Sequence, residues 1–306
     1  MIVKNKKYDV LVIGGSHAGL SAAMALGRLR RSTLVVDAGK PRNQASEHAN
    51  NLIGMDGIHP DIWRDKARAD LKKYKTIEIV SGKVIDVQKI GDSFKAQLEN
   101  GQEVQVRKLI LAYGIKNKLP DIEGIWEHWG KSVFHCPYCH GFEFRDQRIG
   151  MVIGANFAEH MVPMMINISK DLVLFTEDAD TLSNEFRDNL KRNKIKLITT
   201  KISSLESEES ELKYIVLENG EKIPVKGIIV GPIMPLEMNA NFADELNLEK
   251  DEMGFIKADM LGETSMQGVF AAGDIMTMQH SVLGAAATGQ MAGAGVVGQL
   301  SQEEFN

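Results

Sequence analysis

Two cysteines and two histidines are concentrated in one short segment, His135-Cys136-Pro137-Tyr138-Cys139-His140. The cysteines are the only two among 306 residues, so the sequence carries no disulfide scaffold. Two intervening residues let such a pair close a disulfide without a large backbone movement, and a neighbouring histidine can take up a thiol proton and stabilise the thiolate. The segment is therefore typical of a redox-active dithiol.

Other chemistries use similar residues, and they stay open at this point. A zinc site needs four ligands that converge on one ion, which two cysteines and two adjacent histidines do not easily provide, so we expect no metal. Cys-x-x-Cys-His is also the attachment pattern of c-type haem, but that chemistry follows secretion, and no signal-peptide pattern is recognised. Two inert buried thiols are the structural alternative. A dithiol, in contrast, needs an electron acceptor, which a bound flavin would supply.

A glycine-rich turn near the start of the chain predicts a site for such a cofactor. A strand-like apolar run over residues 8–13 ends in Gly14-Gly15-Ser16-His17-Ala18-Gly19, and apolar residues then recur at helical spacing. The first, third and last residues of this turn stand where a dinucleotide needs a tight turn, close backbone approach and close helix packing. A second strand-like run ends at Asp37, where an acid can bind ribose hydroxyls. The pattern predicts a dinucleotide-binding βαβ unit.

The chain repeats this organisation, which predicts the domains. Asn100-Gly101 and Asn219-Gly220 each lie between alternating strand-like segments, a strong hairpin signal, and each hairpin leads into an apolar strand that ends in glycine. The last part of the chain has no counterpart in the middle, so we expect it to return to the first domain. The predicted fold is α/β, with two nested Rossmann-like domains of three layers (ββα). We expect a discontinuous FAD-binding domain, 1–115 and 241–306, and an NAD(P)-binding-like domain, 116–240, that carries the cysteines.

The second copy lacks the features that a nicotinamide cofactor needs. Gly154 keeps the first glycine, but Asn156 and Glu159 stand where the pyrophosphate and the helix should approach closely. Glu177 and Asp178 follow the next strand, where an NADP site would carry Arg or Lys. We therefore expect this domain to be kept as a scaffold, and NAD(P)H binding is doubtful.

Charge and hydropathy patterns narrow the range of partners. The net charge is −5 and no basic tract stands out, which argues against nucleic acid as a partner. The uncharged stretch between Asp274 and Glu303 is long enough for a membrane span, but polar residues interrupt it and Gly and Ala dominate it. We expect a buried helix there and no membrane partner. Scarce cysteines and the absence of a signal-peptide pattern predict a cytoplasmic location.

Taken together, these motifs resemble the low-molecular-weight thioredoxin reductase-like flavoproteins, which are FAD-dependent pyridine nucleotide-disulfide oxidoreductases. The resemblance rests on the glycine turn, Asn51-Leu52-Ile53-Gly54, Ala112-Tyr113-Gly114, Val269-Phe270-Ala271-Ala272-Gly273-Asp274 and the Cys-x-x-Cys at the start of the second domain. The run from Cys136 to Gly141, Cys-Pro-Tyr-Cys-His-Gly, is similar to the branch with the gliotoxin and holomycin dithiol oxidases. Those enzymes close a disulfide in a small dithiol and pass the electrons from FAD to O₂.

The resemblance implies a role for each candidate residue. Cys139 would lie against the flavin and exchange electrons with it, Cys136 would react with the substrate sulfur, and His140 would move the thiol proton. His280 would be a second acid–base group or a cap of the following helix. The residues expected to bind FAD are Gly14, Gly15, Ser16, His17, Ala18, Gly19, Asp37, Ala38, Arg42, Asn51, Val84, Ala112, Gly114, Gly273, Asp274, Ser281 and Val282.

The sequence thus predicts an FAD-dependent dithiol–disulfide oxidoreductase and favours a dithiol oxidase with a small dithiol as substrate and O₂ as acceptor. One alternative is an NAD(P)H-dependent reductase of thioredoxin or a similar protein, in which Glu177 and Asp178 would favour NADH. Another, from a different class, is a non-enzymatic flavin and thiol redox sensor. The family is usually homodimeric, and we expect a homodimer.

Overall fold

The computed structural model describes residues 7–233 and 236–306, so residues 1–6 of the expected first domain and residues 234 and 235 of the expected second lie outside it. The strands in chain order are β1 (Tyr8–Ile13), β2 (Thr33–Asp37), β3 (Ile77–Ser81), β4 (Val84–Ile90), β5 (Ser93–Leu98), β6 (Glu103–Leu111), β7 (Val133–Phe134), β8 (Ile149–Val152), β9 (Leu172–Phe175), β10 (Lys196–Ile198), β11 (Ile202–Glu208), β12 (Glu211–Leu217), β13 (Lys222–Pro224), β14 (Gly227–Val230) and β15 (Val269–Ala271). The α-helices are α1 (His17–Arg28), α2 (Pro60–Leu71), α3 (Ile125–His128), α4 (Pro137–His140), α5 (Ala155–Met165), α6 (Asn184–Arg192), α7 (Phe242–Glu245) and α8 (Val282–Phe305).

The described chain divides into two compact units. The first contains the chain up to Arg42, Asp61–Asn117 and residues 236–306, and the second contains Asn43–Pro60 and the chain from Lys118 to residue 233. Residues 116, 117 and 236–240, expected in the second domain, group with the first unit, whereas the segment Asn43–Pro60, expected in the first domain, groups with the second. Within the second unit, the backbone of Ala45 lies against Gly130, and the side-chain amide of Asn50 donates to the Cys139 carbonyl.

The sheet of the first unit is covered on both faces. Its strands follow the order β3-β2-β1-β6-β5-β4, with β15 beside β6; β4, β5 and β6 form an antiparallel meander, and the other pairings are parallel. Successive side chains of a strand point to opposite faces. Leu11 and Ile13 therefore pack toward the meander, whereas Val10 and Val12 pack toward α1 and α8. The result is the predicted three-layer arrangement of meander, parallel sheet and helices.

The second unit repeats this architecture on a smaller scale. Its parallel sheet has the order β10-β9-β8-β14-β7, and β11, β12 and β13 form a separate antiparallel meander. Val173 and Phe175 face the meander, while Met151 and Leu174 pack against α5 and α6. The α/β fold with two Rossmann-like units is thus confirmed.

Both predicted hairpins are present. Asn100-Gly101 joins β5 to β6, and Asn219-Gly220 joins β12 to β13. Gly101 and Gly220 have φ angles of 80° and 82°, a left-handed conformation that glycine adopts without steric cost. The repeat read from the sequence therefore corresponds to the two meanders.

The uncharged C-terminal stretch forms α8, which packs lengthwise on α1. A Cβ added at Gly289 would collide with the carbonyl of Ala18, and one at Gly293 would lie 2.7 Å from the carbonyl of Ala22. Small residues are therefore needed for the two helix backbones to approach this closely. None of the helices in the described residues has the length and apolar character that crossing a membrane requires.

Candidate redox site and cofactor cradle

The glycine turn is built by close backbone contacts at the carboxyl ends of the central strands. A Cβ at Gly14, whose φ is 112°, would collide with the carbonyl of Ala112 at the end of β6, and a Cβ at Gly19 would collide with the carbonyl of Gly14. At Gly15 a Cβ would lie 2.6 Å from the side chain of Asp37. The three glycines of the turn thus have no room for a side chain, and the N-terminus of α1, which begins at His17, presents backbone N–H groups.

The motif from Val269 to Asp274, near the end of the chain, lies beside this turn. Gly273 follows β15 with a φ of 81°, and its N–H donates to the hydroxyl of Thr288 on α8 at 3.0 Å. A Cβ at Gly273 would lie 3.0 Å from the Cβ of Ala18 on α1. Two segments far apart in sequence therefore converge here because α8 and α1 pack so closely.

Charged side chains surround the turn. Asp37, at the end of β2, accepts from the N–H of Gly39 at 3.0 Å and forms an ion pair with Arg68. Arg42 donates to Asp274 at 3.0 Å and to the side-chain oxygen of Asn117 at 2.8 Å. Asp37, the acid predicted to bind ribose, is thus held in place at the end of a strand. Asp274 is paired with the cation Arg42.

His17, the first residue of α1, contributes more than its backbone. Its side chain is 6% exposed, its ring centroid lies 4.4 Å from that of Trp63, and its Nε2 atom has no hydrogen-bond partner. Burial, assisted by the charge of Arg64, lowers the pKa of His17 to about 4. A neutral imidazole with an unpartnered nitrogen therefore lies at a helix N-terminus.

The structure separates the two roles expected for His280. Ser281 is the N-cap residue of α8, and its hydroxyl accepts from the N–H of Gly284 at 2.9 Å, so Ser281 rather than His280 provides the cap. The Nε2 of His280 is buried without a partner, and burial is the main cause of its lowered pKa, partly opposed by Asp274. His280 is thus neutral and close to Asp274, which leaves the acid–base role as its proposed one.

The first unit offers what FAD requires. A pyrophosphate needs to approach the backbone of a glycine-rich turn at a helix N-terminus, and the turn from Gly14 to Gly19, with glycine at three positions, provides it. The buried Nε2 atoms of His17 and His280 lack partners within the described protein, and a bound polar group would supply them. These residues would hold the cofactor, and they fit it.

Val84, Ala38 and Gly114, which are also predicted to bind the cofactor, lie in this unit as well. Val84 begins β4 and is buried, Ala38 follows β2 and is exposed, and Gly114 has a φ of 68° beyond β6. Asn51 is different, because it belongs to the second unit. Its φ of 58° is unusual for a residue other than glycine.

The cysteine pair lies in the second unit and forms a disulfide. Cys136 is the N-cap of the short helix α4, and the N–H groups of Cys139 and His140 both donate to its carbonyl at 3.2 Å. From the segment Asn43–Pro60, the side chain of Asn50 donates to the carbonyl of Cys139 at 2.8 Å. The turn that holds the disulfide is therefore fixed from within and from a neighbouring segment.

His140 ends α4 directly beside Cys139. Its ring lies 6.0 Å from that of Phe134, and its Nε2 is buried without a partner. Burial lowers the pKa of His140, while Glu143 and a hydrogen bond with the backbone of Gly130 partly oppose the shift. The histidine is therefore neutral at pH 7 and can accept a thiol proton.

The nucleotide position of the second unit is taken by a carboxylate of the protein itself. At the N-terminus of α5, the N–H of Ala155 donates to Asp178 at 3.0 Å, and this carboxylate also accepts from the hydroxyl of Thr176. These hydrogen bonds lower the pKa of Asp178, so it is ionised at neutral pH. A dinucleotide phosphate at this helix end would meet a negative charge.

Some participants could not be found from the sequence. Trp63, Arg64 and Thr288 come from α2 and α8, and nothing in their own segments signals contact with the glycine turn. Asn50 adjoins the Asn51 motif, which is the one signal that could have pointed to it. Within the described residues, no group of three or more His, Cys, Asp or Glu side chains is placed to hold a metal ion.

Comparisons with known proteins agree on one family over nearly the whole chain. A family model described as "Pyridine nucleotide-disulphide oxidoreductase" matches residues 8–293. "Thioredoxin reductase tcpT" from Claviceps purpurea is 32% identical over 299 residues, which cover 93% of this chain and 92% of that protein. "Thioredoxin reductase aclD" from Aspergillus oryzae is 30% identical over 309 residues, covering 97% and 98%.

Solved structures show the same fold. The structure described as "Crystal structure of HlmI" has a TM-score of 0.92 and 30% identity, covering 99% of this chain and 96% of that one. A putative thioredoxin reductase TrxB from Bacillus anthracis also has a TM-score of 0.92, with 28% identity and coverage of 97% and 100%. The likeness therefore extends over both units.

Proposed function

Because the chain belongs to the pyridine nucleotide-disulphide oxidoreductase family, we propose that it is an FAD-dependent dithiol oxidase. The Cys136–Cys139 pair forms a disulfide in a small dithiol, and the electrons pass through FAD to O₂. Its relatives are thioredoxin reductase-like oxidoreductases, which fixes the reaction class as thiol–disulfide exchange. The direction of the reaction and the electron acceptor are the parts we propose.

The observation that carries the oxidase direction is the Asp178 carboxylate at the N-terminus of α5. It accepts the Ala155 N–H that a pyrophosphate would use, and Glu159 on the same helix accepts from the N–H of Ser183 at 3.0 Å. A pyrophosphate would have to displace this carboxylate from the Ala155 N–H, and the 2′-phosphate of NADPH would meet its charge as well, so the arrangement disfavours NADPH most. Without NAD(P)H as donor, the reducing electrons must come from the thiol substrate.

The cysteine pair carries out the exchange in two steps. A substrate thiolate attacks Sγ of Cys136, the Cys136–Cys139 bond breaks, and Cys139 leaves as a thiolate. The second substrate thiol then attacks the substrate sulfur of the mixed disulfide and passes its proton to Cys136, which leaves as a thiol. The substrate loses two electrons and two protons, and the cysteine pair holds the two electrons.

His140 handles the proton of the first step. Its Nε2 is unpartnered and its pKa is lowered, so it is a neutral base beside the reacting sulfurs. Accepting the substrate thiol proton generates the thiolate that attacks Cys136. Asn50, through the Cys139 carbonyl, holds the loop in position while Cys139 changes from disulfide to thiolate.

FAD held in this cradle would supply the acceptor for the electron pair of the reduced cysteines and the path of that pair to O₂, with hydrogen peroxide as the product. The resemblance assigns the contact with flavin to Cys139. His280, neutral and near Asp274, is the group we assign to proton transfer in the first unit. The overall reaction converts one dithiol and one O₂ into one disulfide and one hydrogen peroxide.

The alternative function is a reductase of a thioredoxin-like protein that is fed by NAD(P)H. The printed names of the curated relatives favour it, since they are called thioredoxin reductases. It requires a nicotinamide site, for which the end of α5 would have to release Asp178.

One anaerobic experiment separates these functions. The purified flavoprotein is mixed with NADH, NADPH or dithiothreitol, and the flavin absorbance is followed. We expect bleaching by dithiothreitol only, with recovery of absorbance and formation of peroxide when air is admitted. Rapid bleaching by NADH or NADPH would refute the oxidase. If none of the three donors bleaches the flavin, the thiol-to-flavin step proposed here is wrong and a sensor role becomes the better explanation.

Cys139→Ser tests the assigned roles. It removes the thiol that passes electrons onward, so bleaching by dithiothreitol should fall at least about a thousandfold, while FAD stays bound because the cofactor cradle is in the first unit. Visible absorbance after gel filtration checks the bound FAD. The matched control is Ser183→Ala at the N-cap of α6, outside the disulfide loop. This variant should react like the wild type. Normal bleaching by Cys139→Ser would contradict the assignment.

A further inference from the structure

A cavity of about 350 Å³ lies beside the disulfide loop and is formed entirely by residues of the second unit. It is lined by the segment from Asn50 to Ile53 and by Asp56, Tyr138, Phe142 and Glu143. Tyr138 stands between the two cysteines, and the side chain of Asn50 is bonded to Cys139. Cavities of this size suit small molecules rather than a folded protein.

The walls expose apolar surface that nothing in the described protein covers. The side chains of Ile53, Tyr138 and Phe142 are 89%, 70% and 63% exposed. Fully exposed large apolar side chains are common singly, but three around one cavity at a reactive disulfide mark a binding surface. They suit the carbon skeleton of a small dithiol.

The polar part of the lining carries negative charge. Asp56 and Glu143 are both carboxylates of the cavity wall. The neighbouring cation Arg145 lies 4.5 Å from the centre of the Phe142 ring and donates to the Phe142 carbonyl at 3.2 Å, and neither contact neutralises its charge. Two carboxylates and one guanidinium leave one net negative charge for a ligand carboxylate to meet.

We propose that this cavity binds the body of the substrate and selects small dithiols that carry no negative charge, whether neutral or cationic. This inference rests on the proposed oxidase function and adds the substrate class to it. The selection comes from repulsion by Asp56 and Glu143, and the affinity from contact with Ile53, Tyr138 and Phe142. An anionic dithiol of the same shape should react more slowly.

Dihydrolipoamide and dihydrolipoate provide the test, because they share the same dithiol and differ by an amide in place of a carboxylate. The second-order rate constant of anaerobic flavin bleaching is measured for each with the FAD-loaded protein. We expect dihydrolipoamide to react about fivefold faster or more, as two carboxylates at several ångströms from a ligand charge would produce. Equal rates would overturn the inference and leave the oxidase function standing.

The Asp56→Asn/Glu143→Gln double variant locates the selection. We expect the ratio of the two rate constants to fall toward one because the dihydrolipoate rate rises. Using the ratio cancels any change in His140 basicity, since Glu143 also raises the pKa of His140 and both substrates would feel that change. Glu185→Gln, at an exposed carboxylate on α6, is the matched control and should keep the wild-type ratio.

The outcomes distinguish the inference from the function it rests on. A wild-type preference that survives in the double variant would overturn the cavity as its source, although the oxidase would stand. If dihydrolipoamide, dihydrolipoate and dithiothreitol all fail to bleach the flavin while NADPH succeeds, the oxidase function is refuted and the inference is refuted with it.

Discussion

Three histidines share an unusual state, and each lies where chemistry is expected. The Nε2 atoms of His17, His140 and His280 are buried without a hydrogen-bond partner in the described residues, and burial is the first cause of the lowered pKa of each. Unsatisfied buried polar atoms are rare and cost stability, so they tend to persist where a ligand or a reaction uses them. We assign His140 to the thiols, and His17 and His280 to the proposed cofactor cradle.

The pH dependence of stability tests the state of His17. With a pKa near 4 in the folded chain and an ordinary value of 6.5 when unfolded, the unfolded state binds a proton between these values that the folded state does not. Stability therefore falls as the pH drops from 7 to 5, and His17 alone contributes about 2 kcal/mol to that loss. Urea unfolding of FAD-free protein at the two pH values measures it.

His17→Phe keeps an aromatic ring beside Trp63 and removes the titration. The variant should lose about 2 kcal/mol less than the wild type on going from pH 7 to pH 5. The other buried histidines act in both proteins and cancel in this difference. If the two proteins lose the same stability, His17 does not titrate as the structure implies.

At the scale of elements, local sequence patterns were sufficient to predict the structure wherever residues that are close in sequence also lie close in space. The strand, turn and helix around Gly14, and the hairpins at Gly101 and Gly220, followed from apolar periodicity and turn residues. The position of Asn51 in the second unit could not be predicted in this way. The segment Asn43–Pro60 is held by hydrogen bonds to residues about 90 positions away, such as the bond from the Asn50 side chain to the Cys139 carbonyl. The cavity beside the cysteines was missed for the same reason.

Close packing of α8 on α1 makes Gly289 of α8 sensitive to substitution. A methyl group at Gly289 would meet the backbone of Ala18, which cannot move without disturbing the cofactor turn. We expect Gly289→Ala to lower the free energy of unfolding by about 1–3 kcal/mol and to weaken FAD binding. Thermal unfolding and a titration of the FAD-free protein with FAD measure the two effects.

The same helix provides the control for this substitution. A Cβ at Gly298 would have nothing within 4 Å, so Gly298→Ala should be neutral or raise stability by up to about 1 kcal/mol through better helix propensity. Similar destabilisation by both substitutions would mean that replacing any glycine of α8 is harmful. Close approach to α1 would then not be the cause.

For the molecule as a whole, the net charge of −5 acts on a substrate before the substrate binds. The chain carries 36 Lys and Arg against 41 Asp and Glu, so an anionic thiol is repelled before it reaches any site, whereas a neutral one is not. This long-range effect adds to the short-range selection proposed for the cavity. A homodimer, which stays a prediction, would double the charge without changing its sign.

Ionic strength separates the two contributions. At about 25 Å, five like charges repel one charge by about 0.8 kcal/mol in water, a factor of about four in rate, and screening at 0.15 M salt removes nearly all of it. We expect the bleaching rate with dihydrolipoate to rise about two- to fourfold from very low salt to 0.15 M, while the rate with dihydrolipoamide stays constant. The preference left at 0.15 M salt then belongs to Asp56 and Glu143, because a ligand in the cavity lies well within the screening length of about 8 Å. A dihydrolipoate rate that does not change with salt would mean that the net charge of −5 has no part in selecting the substrate.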